Sequence, residues 1–177
     1  MRTDFDGHGH AGDAPLHPGP PAPGATRASA PVPGSGAPED VYKNRFEGAS
    51  ILVVDDDFRN VVAIKAVLER GRADVVVAPS GAAALSALAL IPEIDIVLID
   101  IMMPGMDGYD TIRAIRATGR FDSLPVIAIT CKTEAGERER CLAAGADTFL
   151  PRPPEMGALL AAVETAFAAT QQARAER

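Results

Sequence analysis

The stretch Ile94-Asp95-Ile96-Val97-Leu98-Ile99-Asp100-Ile101-Met102-Met103-Pro104-Gly105-Met106-Asp107-Gly108 decides the fold. A short run of β-branched residues and Leu reads as a strand buried on both faces, as in a parallel sheet, and it ends on one carboxylate, Asp100. Pro104, Gly105 and Gly108 then force a turn. Parallel sheets expose their ligand sites at the carboxyl ends of their strands, so Asp100 stands where chemistry is expected and is a candidate nucleophile.

The same pattern recurs on both sides. Ile51-Leu52-Val53-Val54 is an apolar strand that runs into Asp55-Asp56-Asp57, and Phe58, Val61, Ile64 and Leu68 then recur at helical spacing up to Gly71. Ala73 to Ala78 reads as a second strand, and Ser80 caps a helix with Leu85 and Leu88 facing inward. After the central strand, Asp107 caps a third helix with Ile112 and Ile115 inside and Arg113, Arg116 and Arg120 outside. Leu124 to Thr130 is a fourth strand ending on a hydroxyl. Glu134 to Ala144 is a charged helix with a thin apolar face, and Thr148 to Leu150 a fifth strand ending at Pro151-Arg152-Pro153-Pro154. Met156, Leu159, Leu160, Val163 and Phe167 form an amphipathic last helix, and Gln171 to Arg177 read as a polar tail. Alternating strands and helices with short connections predict an α/β fold: a five-stranded parallel sheet, doubly wound, in the flavodoxin-like order 2-1-3-4-5. That order brings Asp55, Asp56 and Asp100 into one crevice.

Composition divides the chain. Residues 1–40 hold eight Pro and seven Gly with few branched apolar residues, a mixture that buries too little surface to offset the entropy of ordering. Residues 1–47 therefore read as a disordered leader, with Tyr42 and Phe46 near its end packing against the start of a domain over 48–170. His8, His10 and His17 lie in the leader with no fixed shell to make a metal site of them. No segment carries a secretory pattern or the roughly 18 apolar residues needed to span a bilayer, so a cytoplasmic protein with no membrane partner is expected. The net charge of −7 is the sum of −3 in residues 1–40 (two Arg against five acids) and −4 in the rest (15 bases against 19 acids). Neither part has the basic surplus of a nucleic-acid-binding domain. Cys131 and Cys141 match neither a zinc nor a redox spacing and read as buried reduced thiols.

Three converging carboxylates repel one another unless a cation sits among them, and an all-oxygen set selects a hard ion such as Mg²⁺. Such an ion keeps open positions for a phosphate oxygen. Thr130 can donate a hydrogen bond and Arg152 can offer positive charge to phosphoryl oxygens, while Asp100 can accept a phosphoryl group as an acyl phosphate. Asp57 and Asp107 stand at helix starts and are read as caps, outside this set.

Ile51-Leu52-Val53-Val54-Asp55-Asp56, the block Leu98 to Gly108, Ile127-Ala128-Ile129-Thr130 and Ala144-Gly145-Ala146-Asp147 together resemble the receiver domain of two-component response regulators, in register over about residues 48–170. Arg59-Asn60 and Asp100-Ile101-Met102-Met103-Pro104 resemble the variant attached to hybrid histidine kinases. The resemblance implies Asp100 as phosphoacceptor, Asp55 and Asp56 as Mg²⁺ ligands and the carbonyl of Met102 as a further ligand. It also implies contact of Thr130 with the phosphoryl group, Phe149 as the switch aromatic, and a phosphohistidine on a histidine kinase or phosphotransfer protein as donor. Two positions depart from the family. Arg152 stands where a Lys is usual, and being longer and planar it bears on how phosphorylation couples to the switch. Cys131 stands where a very small residue is usual.

The expectation from sequence is thus a stand-alone, non-enzymatic receiver that signals by contact with a downstream protein not identified here. The alternative is a pseudo-receiver that docks without phosphorylation. A phosphatase of the haloacid-dehalogenase kind, suggested by Asp55-Asp56-Asp57, needs strands and a cap for which this chain has no room.

Overall fold

The computed structural model describes residues 44–131 and 136–176. The leader histidines, Tyr42 and the Glu134-Ala135 start expected for the fourth helix lie outside the described residues. In chain order the elements are β1 (Ser50–Val54), α1 (Phe58–Arg70), β2 (Asp74–Ala78), α2 (Gly81–Leu90), β3 (Ile96–Asp100), α3 (Gly108–Ala117), β4 (Val126–Thr130), α4 (Glu137–Ala144), β5 (Thr148–Pro151) and α5 (Met156–Ala175). The strands form one parallel sheet in the order β2-β1-β3-β4-β5, as expected from the sequence.

Alternation along the central strands sorts side chains into two cores. Ile51 and Val53 on β1 and Ile96 and Leu98 on β3 pack with Ile64 and Leu68 of α1 and Leu159, Leu160 and Val163 of α5. Leu52, Val54, Val97 and Ile99 point the other way, toward Ala84 and Leu88 of α2, Ile112 and Ile115 of α3 and Cys141 of α4. All five residues of β3 are buried, and so are all five of β4, because helices cover both faces. Phe46 belongs to the first of these cores and is wholly buried, so packing begins before residue 48. A Cβ at Gly71 would come within 2.4 Å of its ring, which explains the glycine at the end of α1.

Polar side chains cap the starts of α1, α2, α3 and α5. Asp57 accepts from the Arg59 amide, Ser80 from that of Ala83, Asp107 from that of Asp110, and Glu155 from those of Gly157 and Ala158. Asp57 and Asp107 are therefore the caps that their positions suggested.

Several expectations are corrected. Phe58, placed on the inner stripe of α1, is 76% exposed because it stands at the helix start beyond the rim of the sheet. Cys131 is exposed just past the end of β4, whereas Cys141 is buried as expected and Leu85, half-buried, packs on the core as expected. The residues from Gln171 continue α5 to Ala175 rather than fraying, since Arg174 pairs at 2.7 Å with the buried Asp95. Arg116 does not simply point outward. Its Nε donates to the Gly145 carbonyl, its Nη1 to the carbonyls of Phe121 and Leu124, and its Nη2 pairs with Asp147. One guanidinium thus ties the end of α3 to the entries of β4 and β5.

Removing that tie takes a donor from three carbonyls, of which that of Phe121 keeps the Leu124 amide. Arg116→Met is expected to cost about 2 kcal/mol in urea unfolding. Arg113→Met, on an exposed ion pair with Asp110, is expected to cost less than about 0.5 kcal/mol; equal costs would contradict this role for Arg116.

Candidate functional site

The switch in strand order lies between β1 and β3, and both strands end there in acid. Val54 pairs with Ile99, so Asp55 and Asp100 leave adjacent strand ends side by side. Asp55, Asp56 and Asp100 each offer an oxygen, and these atoms lie within 4.8 Å of one another. Asp55 and Asp100 are buried, while Asp56 is exposed at the mouth. The loop after β3 is shaped to reach them. The Met102 amide donates to Asp100 Oδ1 at 3.2 Å, and the Asp57 amide donates to Asp55 Oδ1 at 2.8 Å. Gly105 takes φ +78°, and a Cβ at Gly108 would stand 2.5 Å from the Asp100 carbonyl oxygen. Only glycine lets α3 begin so close to the strand end.

Opposite the acids is Arg152, after β5. Its Nη1 donates to Asp100 Oδ2, and its Nη2 lies 3.3 Å from Asp55 Oδ1. The Arg152 amide donates to the Thr130 carbonyl at 2.8 Å, which fixes where the side chain starts; the Arg152–Pro153 peptide is cis. Burial is the largest influence on Asp55 and raises its pKa above the ordinary carboxylate value, with the charge of Asp100 adding to it. The Asp57 amide, Arg152 and the Asn60 side chain oppose the rise. For Arg152, burial works against the charge, but Asp100 and Asp55 outweigh it and hold the guanidinium above its usual pKa. The outcome, among the described residues, is a pair of buried acids bridged by Arg152.

The structure brings Asp55, Asp56, Asp100 and Arg152 together as the sequence suggested. Met102 is at the pocket through its amide, with an exposed side chain. Thr130 is buried at the end of β4, and its hydroxyl donates to Glu137 Oε1 at 3.1 Å. Phe149 is half-buried on β5, where it pairs with Ala128 and packs on the core beneath α2, α3 and α4. Sequence reasoning missed Tyr109 and Glu137. Tyr109 sits in the first turn of α3 and donates its hydroxyl to the same Glu137 oxygen that Thr130 uses. Glu137 lies in the run Glu137-Arg138-Glu139-Arg140, which read as a solvated face, yet it alone of the four is buried. No periodicity marks it.

Residues 51–164 match the response regulator receiver domain family. The chain belongs to that family. It is 35% identical over 119 residues to a sensor histidine kinase, GacS, of Pseudomonas protegens, covering 66% of this chain and 13% of the kinase. It is 39% identical over 111 residues to the response regulator MprA of Mycolicibacterium vanbaalenii, covering 63% of this chain and 47% of the regulator. The receiver domain of the Francisella response regulator 1452 superposes with a TM-score of 0.64 at 29% identity, over 69% of this chain and 98% of that one. The chain thus spans about half the length of such regulators and about an eighth of the kinase. Among the described residues no helix is long and apolar enough to cross a membrane.

The raised Asp55 pKa has a sign for stability. A carboxyl that holds its proton more tightly when folded loses stability as pH rises from the ordinary carboxylate range through the raised value. In metal-free buffer Asp55→Asn is therefore expected to be more stable than the wild type at pH 7, with the gap narrowing at pH 4. Denaturant melts at the two pH values test this, and a less stable variant at pH 7 would contradict it.

Proposed function

We propose that the protein is a phosphoacceptor module of a two-component relay, taking a phosphoryl group from phosphohistidine onto Asp100. The observation that carries this reading is the meeting of Asp100 with Asp55 and Asp56 at the strand-order switch, with a guanidinium already on the Asp100 carboxylate. An Asp100 oxygen attacks phosphorus, the N–P bond to the donor imidazole breaks, and an acyl phosphate forms while the donor is left as histidine. Arg152 balances charge on the equatorial phosphoryl oxygens, and Thr130 is the hydroxyl donor within the same rim.

The all-oxygen donor set fits a hard divalent cation. Asp55, Asp56 and Asp100, with the Met102 carbonyl, are the proposed ligands, and Mg²⁺ there would neutralise charge on the transferring group. The electrostatic need is visible without it, since Arg152 bridges two of the three acids. Ligation by the cation requires the guanidinium to give up Asp55. Arg152 is in this way both counter-ion and competitor, which a compact ammonium at the same position would be less able to be.

Signalling follows by protein contact and not by turnover. Phe149 is the proposed aromatic that moves with Thr130, with a histidine kinase or phosphotransfer protein upstream and a protein partner downstream. Exposed Phe58 and Val62 on α1 and Met102 and Met106 in the loop after β3 give the pocket's surroundings apolar surface suited to a protein donor. A cytoplasmic setting agrees with two free cysteines.

Intact-protein mass spectrometry after incubation with Mg²⁺ and acetyl phosphate tests the reading. One phosphoryl group is expected on the wild type and none on Asp100→Asn. Arg152→Lys is expected to label as well as the wild type and to bind Mg²⁺ more tightly, by about three- to tenfold, since the freed Asp55 need not be won from a bidentate partner. No labelling of a wild type that still binds Mg²⁺ would favour a docking module in which Arg152 holds the pocket closed. Labelling of Asp100→Asn would refute the assignment.

A further inference from the structure

Glu137 is a buried acid with no role in the proposed transfer. Its side chain is 3% exposed, it lies in the first turn of α4, and no Arg or Lys pairs with it among the described residues. Oε1 receives both the Thr130 and the Tyr109 hydroxyls, while Oε2 is buried with no hydrogen-bond partner among the described residues. Burying an acid this incompletely satisfied is costly, and a purely structural role would be met as well by an apolar residue of similar size. The N-terminal end of α4 offsets part of the cost, since Gly136 offers no capping side chain and the helix dipole favours an anion there. Burial and the acid together raise the pKa of the neighbouring Cys141, and burial followed by the Glu137 hydrogen bond raises that of Tyr109.

Three elements meet at this one carboxylate. Thr130 ends β4, Tyr109 begins α3 directly after the loop that shapes the Asp100 pocket, and Glu137 begins α4. We propose that Glu137 is a positioning residue for phosphoryl acceptance, whose buried carboxylate competes with the phosphoryl group on Asp100 for the Thr130 hydroxyl. This rests on the assignment of Asp100 as phosphoacceptor. When Thr130 turns to the phosphoryl oxygens, Glu137 keeps only Tyr109, and the start of α4 loses its tie to the sheet. Helix α4 is suited to respond, because Glu137, Cys141 and Ala144 are its only buried residues. Tyr109 modulates the competition, since a second donor on the same oxygen weakens that oxygen's hold on Thr130.

The competition gives opposite signs to two conservative changes. Glu137→Gln keeps the shape and an acceptor but removes the charge, so it loosens Thr130 and is expected to speed labelling by acetyl phosphate about three- to tenfold. Tyr109→Phe leaves Thr130 as the sole donor and is expected to slow labelling about twofold or more. Both effects are expected to vanish in a Thr130→Ala background, as a double-mutant cycle requires. Equal rates for wild type and Glu137→Gln, or the same acceleration with Thr130→Ala, would overturn the proposal while leaving Asp100 as acceptor. The Thr130 methyl resonance of the unphosphorylated protein supplies a second readout that needs no phosphoryl transfer. It is expected to shift on Glu137→Gln, and an unmoved resonance would overturn the proposal independently. Failure of the wild type itself to label would instead count against the phosphoacceptor reading.

Discussion

Mutual repulsion among Asp55, Asp56 and Asp100 is the constraint on which the rest of the site depends. Three carboxylates with oxygens within 4.8 Å of one another, two of them buried, are unfavourable unless positive charge lies between them. In this protein Arg152 lies there. Its guanidinium reaches Asp100 with one arm and Asp55 with the other, a two-armed geometry unavailable to an ammonium. That pairing offsets part of the repulsion within the pocket.

The fold makes such a concentration of charge possible. Parallel strands β1 and β3 terminate together at the switch in strand order, where no helix covers the gap, and the strand ends supply acids at fixed spacing. Behind them, β3 and β4 are buried along their whole length, so the acids stand on a rigid base. Helix α4 buries only Glu137, Cys141 and Ala144, and Glu137 joins it to the end of β4 at Thr130. A firmly packed strand end beside a lightly packed helix is the arrangement on which the proposed switch rests.

Most of the architecture was legible because the signals were strong. The run Ile96-Val97-Leu98-Ile99 is too short and too branched for a helix, and the Asp57, Ser80 and Asp107 caps sit where the strands stop. Asp55, Asp56, Asp100 and Arg152 could be grouped before any coordinates, since the strand order follows from the alternation of elements. What sequence concealed were contacts that depend on tertiary direction. Arg116 sits in an outward stripe of arginines, yet its length lets it curl back to three carbonyls. Glu137 belongs to a run of four charges whose other three members are exposed, and it is buried where the end of β4 and the start of α3 meet it. Phe58 erred the other way, matching the helical period at a position past the edge of the core. Arg174 likewise turned an apparent tail into helix by finding a buried acid 79 positions earlier in the chain (174 − 95).

The proposed acceptance of a phosphoryl group by Asp100 is tested most directly at the carboxylate itself. Borohydride reduces an acyl phosphate at the acyl carbon and leaves homoserine in place of aspartate. Peptide mapping of the wild type after acetyl phosphate, Mg²⁺ and borohydride is predicted to find homoserine at position 100, with Asp55 and Asp56 intact. Homoserine at 55 or 56, or at none of the three in protein that has gained a phosphoryl mass, would contradict it.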